Sequence, residues 1–152
     1  MSDTDLVKLY SGRILALAAD IPHLGRLEAP QGSAKRRSPL CGSTVTVDLR
    51  VQDGRVTEFA QDVKACALGQ ASASILGAVV LGRSHAELQT ALQSVRAMLK
   101  DAGPVPAAPF EGYEVLLPAR DYKNRHASIL LALEAASEAF AAAASAASAA
   151  EA

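Results

Sequence analysis

Cys41, Cys66 and His126 are the residues whose types suit metal or sulfur chemistry in this chain of 152 residues. Cys41 sits in Ser38-Pro39-Leu40-Cys41-Gly42-Ser43, where flanking Pro and Gly let the backbone approach a ligand closely. Cys66 sits in Lys64-Ala65-Cys66-Ala67-Leu68-Gly69, at the junction of an expected strand and an expected helix. The positive end of that helix favours the thiolate, the form that binds metal or attacks sulfur. His126 falls in the first turn of a later expected helix, on its inward face. Two thiolates and one imidazole suit zinc, iron or an iron–sulfur cluster. The bland alternative has weight. A free cysteine often serves as a small buried hydrophobe, and spacing alone favours His126 as a satisfied histidine at a core edge. Cys-x24-Cys-x59-His matches no short zinc motif. On composition and spacing alone, a metal site is the lesser reading.

The elements that must position these residues read as follows. A first helix is expected from Thr4 to Ala19, with Leu6, Tyr10, Ile14 and Leu17 on one stripe and Asp3 or Thr4 as cap. His23 to Pro39 reads mostly as loop, with Arg26-Leu27-Glu28-Ala29 as a short edge strand and Lys35-Arg36-Arg37 solvated. Thr44 to Val51 alternates: Val45, Val47, Leu49 and Val51 face one way, Thr44, Thr46, Asp48 and Arg50 the other. Asp53-Gly54 suits a tight hairpin turn, and Arg55 to Ala65 is the return strand. A bulge is needed to bring Val56, Phe59 and Val63 into one register. The hairpin should return the segments bearing Cys41 and Cys66 close together.

Ala67 to Leu81 is small and apolar almost all round, so that helix must be buried on most sides. Gly82 stops it. Ser84-His85-Ala86-Glu87 is a capping box opening the next helix, which Gly103-Pro104 ends. Glu111 to Leu117 is too short to place. A final helix starts at Asp121 or Asn124, and beyond Phe140 the chain is nearly all Ala and Ser. That end favours helix by propensity and is expected to bury nothing. The order predicts an α+β fold: a small antiparallel sheet of about three strands with helices packed on one face. Residues 1–140 read as one domain and 141–152 as an Ala-rich tail.

Composition narrows the function. The chain is 50% apolar and 20% charged, with a net charge of −1. Nothing there argues for nucleic acid or an anionic membrane. The start, Met1-Ser2-Asp3-Thr4-Asp5, is unlike a secretory leader, and no uninterrupted apolar run suits a bilayer. The expectation is a cytoplasmic protein with reduced thiols, which disfavours a Cys41–Cys66 disulfide. His23 and His85 read as loop and surface residues. No Gly-rich phosphate loop or Gly-x-Ser-x-Gly elbow is present.

Taken together, these residues resemble the U-type iron–sulfur cluster assembly scaffolds, the IscU/SufU/NifU N-terminal group, from about Leu6 to Phe140. The resemblance rests on the N-terminal helix, Pro39-Leu40-Cys41-Gly42, the Asp53-Gly54 hairpin, Cys66 with Gln70-Ala71-Ser72-Ala73-Ser74, and His126-Ala127-Ser128-Ile129-Leu130. It implies a SufE/NifU-like fold and a scaffold or carrier rather than an enzyme. Its cargo would be iron or a transient [2Fe–2S] cluster, with zinc as an alternative. It further implies Cys41, Cys66 and His126 as ligands, and a cysteine desulfurase and apo iron–sulfur proteins as partners.

The chain departs from the family pattern at four places. Ser43 stands where the family has Asp, Ala127 where it has a third Cys, and Ala65 where a Gly precedes the second Cys. Leu117-Pro118-Ala119-Arg120 stands where one branch has a chaperone-recruiting Leu-Pro-Pro-Val-Lys. A monomer then offers at most three ligands where tetrahedral zinc takes four. Water, an exogenous thiol or a second subunit would complete the set; a homodimer offers four thiolates for a shared [2Fe–2S] cluster. Two other readings stand beside the scaffold: an interaction partner of the assembly machinery that builds no cluster, and a persulfide relay accepting sulfur on Cys66 or Cys41.

Overall fold

A computed structural model describes residues 11–39 and 42–151. Helix α1 (Gly12–Ala19) leads into strands β1 (Gly32–Arg37), β2 (Thr44–Gln52) and β3 (Arg55–Lys64). Helices α2 (Ala67–Val79) and α3 (His85–Lys100), a 3-10 segment (Glu111–Asp121) and helix α4 (Lys123–Glu151) follow. The strands form one antiparallel sheet in the order β1-β2-β3. Helix α4 lies against β1 and β2 and is flanked by α2 and α3, giving the expected α+β arrangement.

The central strand follows its alternation. Val45, Val47 and Leu49 are fully buried under α4. Asp53 and Gly54 turn the chain with φ of 54° and 75°, the left-handed pair a two-residue hairpin requires. The expected bulge is present. Arg50 pairs with Glu58 but Val51 with Val56, leaving Thr57 as the extra residue. It restores Phe59, Gln61 and Val63 to positions opposite Leu49, Val47 and Val45. The outer side of β3 is also occupied: Leu24 forms a parallel bridge with Gln61, whose N–H donates to the His23 carbonyl at 2.9 Å.

The edge strand differs from expectation. Arg26–Ala29 is not a strand; Gly32–Arg37 is, and it contains the basic triplet expected in a loop. Its own pattern does not announce a strand, because its order comes from pairing with β2, Gly32 opposite Leu49 through Arg37 opposite Thr44. Exposed Lys35 and Arg37 suit a sheet edge, where charge discourages further pairing.

The Arg26 segment is held by side chains instead. Asp48, on the outward face of β2, is fully buried. Arg26 donates to both its oxygens, at 2.6 and 3.0 Å. The Leu27 N–H donates at 3.1 Å and the Ser33 hydroxyl at 2.6 Å. Burial pushes the Asp48 carboxyl up, but these donors outweigh it and hold it below its ordinary 3.8.

Helix α1 is capped by Ser11, whose hydroxyl accepts the Ile14 N–H and whose non-helical backbone (φ −59°, ψ 162°) breaks the continuous Thr4–Ala19 helix that was expected; the expected start at Thr4 lies outside the described residues. Helix α2 is buried nearly all round, as its composition requires. The capping box of α3 is formed, with Ser84 and Glu87 each accepting the other's N–H at 3.2 Å. The stretch too short to place is a 3-10 segment that drives Tyr113 into the core, where its hydroxyl donates to the Ser72 carbonyl at 3.1 Å.

The Ala-rich end was expected to bury nothing. Helix α4 instead runs unbroken to Glu151, and Ala143 is buried. The reason lies in Gly32: a Cβ there would collide with the Ala139 carbonyl oxygen and lie 2.6 Å from the Ala143 nitrogen. Small residues on both elements let them touch at backbone distance. Residues 123–146 are apolar and long enough by composition to cross a bilayer, but 67% of that window is buried inside this fold.

Two outcomes follow. Gly32→Ala should cost about 2–3 kcal/mol, since backbone rather than a mobile side chain must give way; urea denaturation measures it. Asp48→Asn should cost about 2 kcal/mol at neutral pH. Because the folded carboxyl titrates below its unfolded value, its stabilisation is complete above pH 3.8 and lost as pH falls through the lower folded value. Wild type should therefore lose more stability than the variant on acidification below that point. Parallel acid limbs for the two proteins would refute this assignment.

Candidate metal and sulfur site

The hairpin brings the cysteine-bearing segments together. Thr44 pairs with Lys64 at its open end, so residue 43 and residue 65 leave the sheet side by side. Cys66 follows as the N-cap of α2, with extended backbone (φ −67°, ψ 170°). Its side chain makes no capping hydrogen bond and is only partly buried. The sulfur is thus available for other contacts.

Those contacts are hydroxyls. Cys66 Sγ lies 3.4 Å from Ser128 Oγ, and Ser128 donates to Ser43 Oγ at 3.2 Å. Both serines are buried. Gly69, one turn into α2, makes room: a Cβ there would sit 2.6 Å from Ser128 Oγ. Sulfur and oxygen share one proton relay. While Ser128 donates to Ser43, the Cys66 thiol donates to Ser128; a thiolate at Cys66 would instead accept from Ser128.

Ser43 closes the loop that contains Cys41. Ser38 N–H donates to the Ser43 carbonyl at 2.8 Å, and Gly42 N–H donates to the Ser38 carbonyl at 3.0 Å. Gly42 has φ of 70°, a left-handed turn that favours glycine. Leu40 and Cys41 lie outside the described residues. The base of their loop is joined through Ser43 and Ser128 to Cys66.

His126 is buried, and its Nε2 lies 2.9 and 3.0 Å from the carbonyls of Ala119 and Arg120. Two carbonyl acceptors at one nitrogen place a proton on Nε2 and leave Nδ1 outside those contacts. On an α-helix, positions 126 and 128 are about 200° apart. His126 accordingly turns to the end of the 3-10 segment while Ser128 turns to Cys66. Among the described residues no three His, Cys, Asp or Glu side chains gather as a metal-binding group.

Ser128 had no role in the sequence reading, although a serine between Ala127 and the apolar run Ile129-Leu130-Leu131 was the signal. A hydroxyl buried in such a run needs a polar partner, and Gly69 marks where α4 comes close. His85, expected at the surface, stacks on Phe140 with ring centres 5.2 Å apart, and so helps hold α3 to α4.

Comparison with known proteins identifies the family and the fold. The family model described as the NifU-like N terminal domain matches residues 9–128. The crystal structure of a nitrogen-fixing NifU-like protein (N-terminal) from Brucella abortus is 42% identical, with a TM-score of 0.90. That match covers 93% of this chain and 98% of that one. A putative iron–sulfur cluster assembly scaffold protein for the SUF system from Fervidobacterium islandicum shares the fold at 17% identity. Its TM-score is 0.78, over 88% of this chain and 98% of its own. No curated protein sequence matches. By the extent of the family match and the closeness of the Brucella structure, the chain belongs to the NifU-like N-terminal domain family, the U-type scaffolds.

Proposed function

We propose that the chain is an iron–sulfur cluster assembly scaffold that holds iron or a nascent [2Fe–2S] cluster as cargo at Cys41 and Cys66. Family membership supports the scaffold role. The observation that carries the site is the chain of contacts from Cys66 through Ser128 to Ser43, which joins the two cysteine-bearing segments. The thiolates would bind the metal. Ser43 is a poor ligand, because its hydroxyl keeps its proton near neutral pH. His126 can join only through Nδ1, its other nitrogen being committed to two carbonyls. Zinc would take the same donors.

The protein would act as a carrier in the cytoplasm, loaded with the help of a cysteine desulfurase and unloaded to apo-proteins. Two copies, each contributing Cys41 and Cys66, would supply four thiolates for one shared cluster.

Anaerobic reconstitution with iron and sulfide should give visible cluster absorbance that Cys41→Ala/Cys66→Ala lacks. Equal spectra for the two proteins would sink the proposal. His126→Ala should cost about 1–3 kcal/mol in stability, since two buried carbonyls lose their donor. If Nδ1 is a ligand, iron affinity falls as well; unchanged affinity in a titration removes His126 from the ligand set.

A second reading draws on the position of Cys66 at the open N-terminal end of α2. Its thiolate would attack the outer sulfur of a desulfurase persulfide, and the desulfurase cysteine would leave as thiolate. Mass spectrometry of the mixed proteins should then show one added sulfur on the Cys66 peptide, and unmodified Cys66 would exclude this route.

A further inference from the structure

One residue before Ser128, helix α4 faces a different environment. Ala127, half-buried, lines a cleft of about 250 Å³ whose floor includes buried Leu130 and Leu131. Cations from two other elements form its walls. Arg36 lies on the face of β1 that meets α4, and it reaches Glu134 at 3.5 Å and Glu138 at 3.1 Å. Arg96 and Lys100 stand one turn apart on α3, and Arg37 stands at the end of β1.

The charges do not balance. Glu134 is the one carboxylate in the lining, and Arg36 shares it with Arg96, which reaches it at 3.7 Å. Lys100 and Arg37 are exposed and have no ion pair among the described residues. Like charges four residues apart on a helix repel. Lys100 in the last turn suits the negative end of the α3 dipole, and Arg96 has its contact with Glu134. These local roles still leave the cleft with surplus positive charge above an apolar floor.

That combination narrows the occupant. A lone inorganic anion would meet the cations and make no use of the floor. A nucleic-acid backbone would bring its phosphates against Glu134 and Glu138, on a chain whose net charge is −1. An acidic peptide carrying an apolar side chain matches both features. The side chain is seated out of water, and the carboxylates at the rim make charge-assisted hydrogen bonds. A cleft of about 250 Å³ admits a side chain of leucine size.

We propose that this cleft is a docking site for an acidic segment of a partner protein, which lays one apolar side chain over Ala127 and turns its carboxylates to Arg96 and Lys100. The surface goes beyond the scaffold reading, which names partners but no point of contact. It is independent of whether the cysteines hold metal.

The test is a titration of the isotopically labelled full chain with the capped peptide Glu-Glu-Leu-Glu-Glu, followed by amide chemical shifts. Saturable shifts should centre on Lys100, Ala127 and Leu130, with a Kd on the order of 0.1 mM. Salt should weaken the binding. Glu-Glu-Ser-Glu-Glu, which lacks the apolar side chain, should bind about fivefold more weakly, and Lys-Lys-Leu-Lys-Lys should not bind. Arg96→Gln/Lys100→Gln should cost about tenfold in affinity. Glu134→Gln should tighten binding about threefold, because Arg36 and Arg96 lose the carboxylate that competes with the peptide; a variant that merely misfolds would not gain affinity. Absence of saturable shifts, shifts centred elsewhere, or indifference to the Arg96/Lys100 change would overturn the proposal. So would equal binding of the Leu and Ser peptides, which would reduce the cleft to a general anion site, or tighter binding of duplex DNA than of the peptide.

Discussion

Helix α4 approaches its neighbours more closely than side chains ordinarily allow, and the rest of the fold depends on that approach. At Gly32 the edge strand meets the α4 backbone, where a Cβ would intrude on Ala139 and Ala143. At Gly69 helix α2 meets Ser128. Two glycines on different elements thus set the position of one helix against both sheet and helix. Close-packed interiors transmit such constraints, so the register of α4 decides which of its residues faces which neighbour. That register points Ser128 at Cys66, Ala127 at the cationic cleft and His126 at the 3-10 segment.

Three consecutive residues therefore have three different surroundings, and beside Cys66 a hydroxyl, that of Ser43, stands where the family pattern has Asp. Ser43 cannot replace a carboxylate in holding a metal, but with Ser128 it can satisfy a sulfur and hold two segments together.

Much of this could be read from the residues. The alternation of Thr44 to Val51, the Asp53-Gly54 turn, the bulge needed by Val56 and Phe59, and the Ser84–Glu87 capping box are local patterns with local causes, and all appear in the structure. What could not be read depends on distant partners. The strand at Gly32–Arg37 has no pattern of its own, because β2 imposes it. Asp48 sat on the apparently outward face, and only the arrival of Arg26 and Ser33 explains its burial. The order of Cys41, Cys66 and His126 was plain, but the direction of the His126 ring was not. It is set by the carbonyls of Ala119 and Arg120, which the sequence does not bring to mind.

The two borders of the sheet are unlike each other. Residues 23–25 run along β3 and take up the backbone hydrogen bonds of Gln61, whereas among the described residues no strand pairs with the far side of β1, which carries exposed Lys35 and Arg37. One border is closed by the chain itself and the other is guarded by like charge. Copies of the protein are thereby kept from joining sheet to sheet into a longer ribbon.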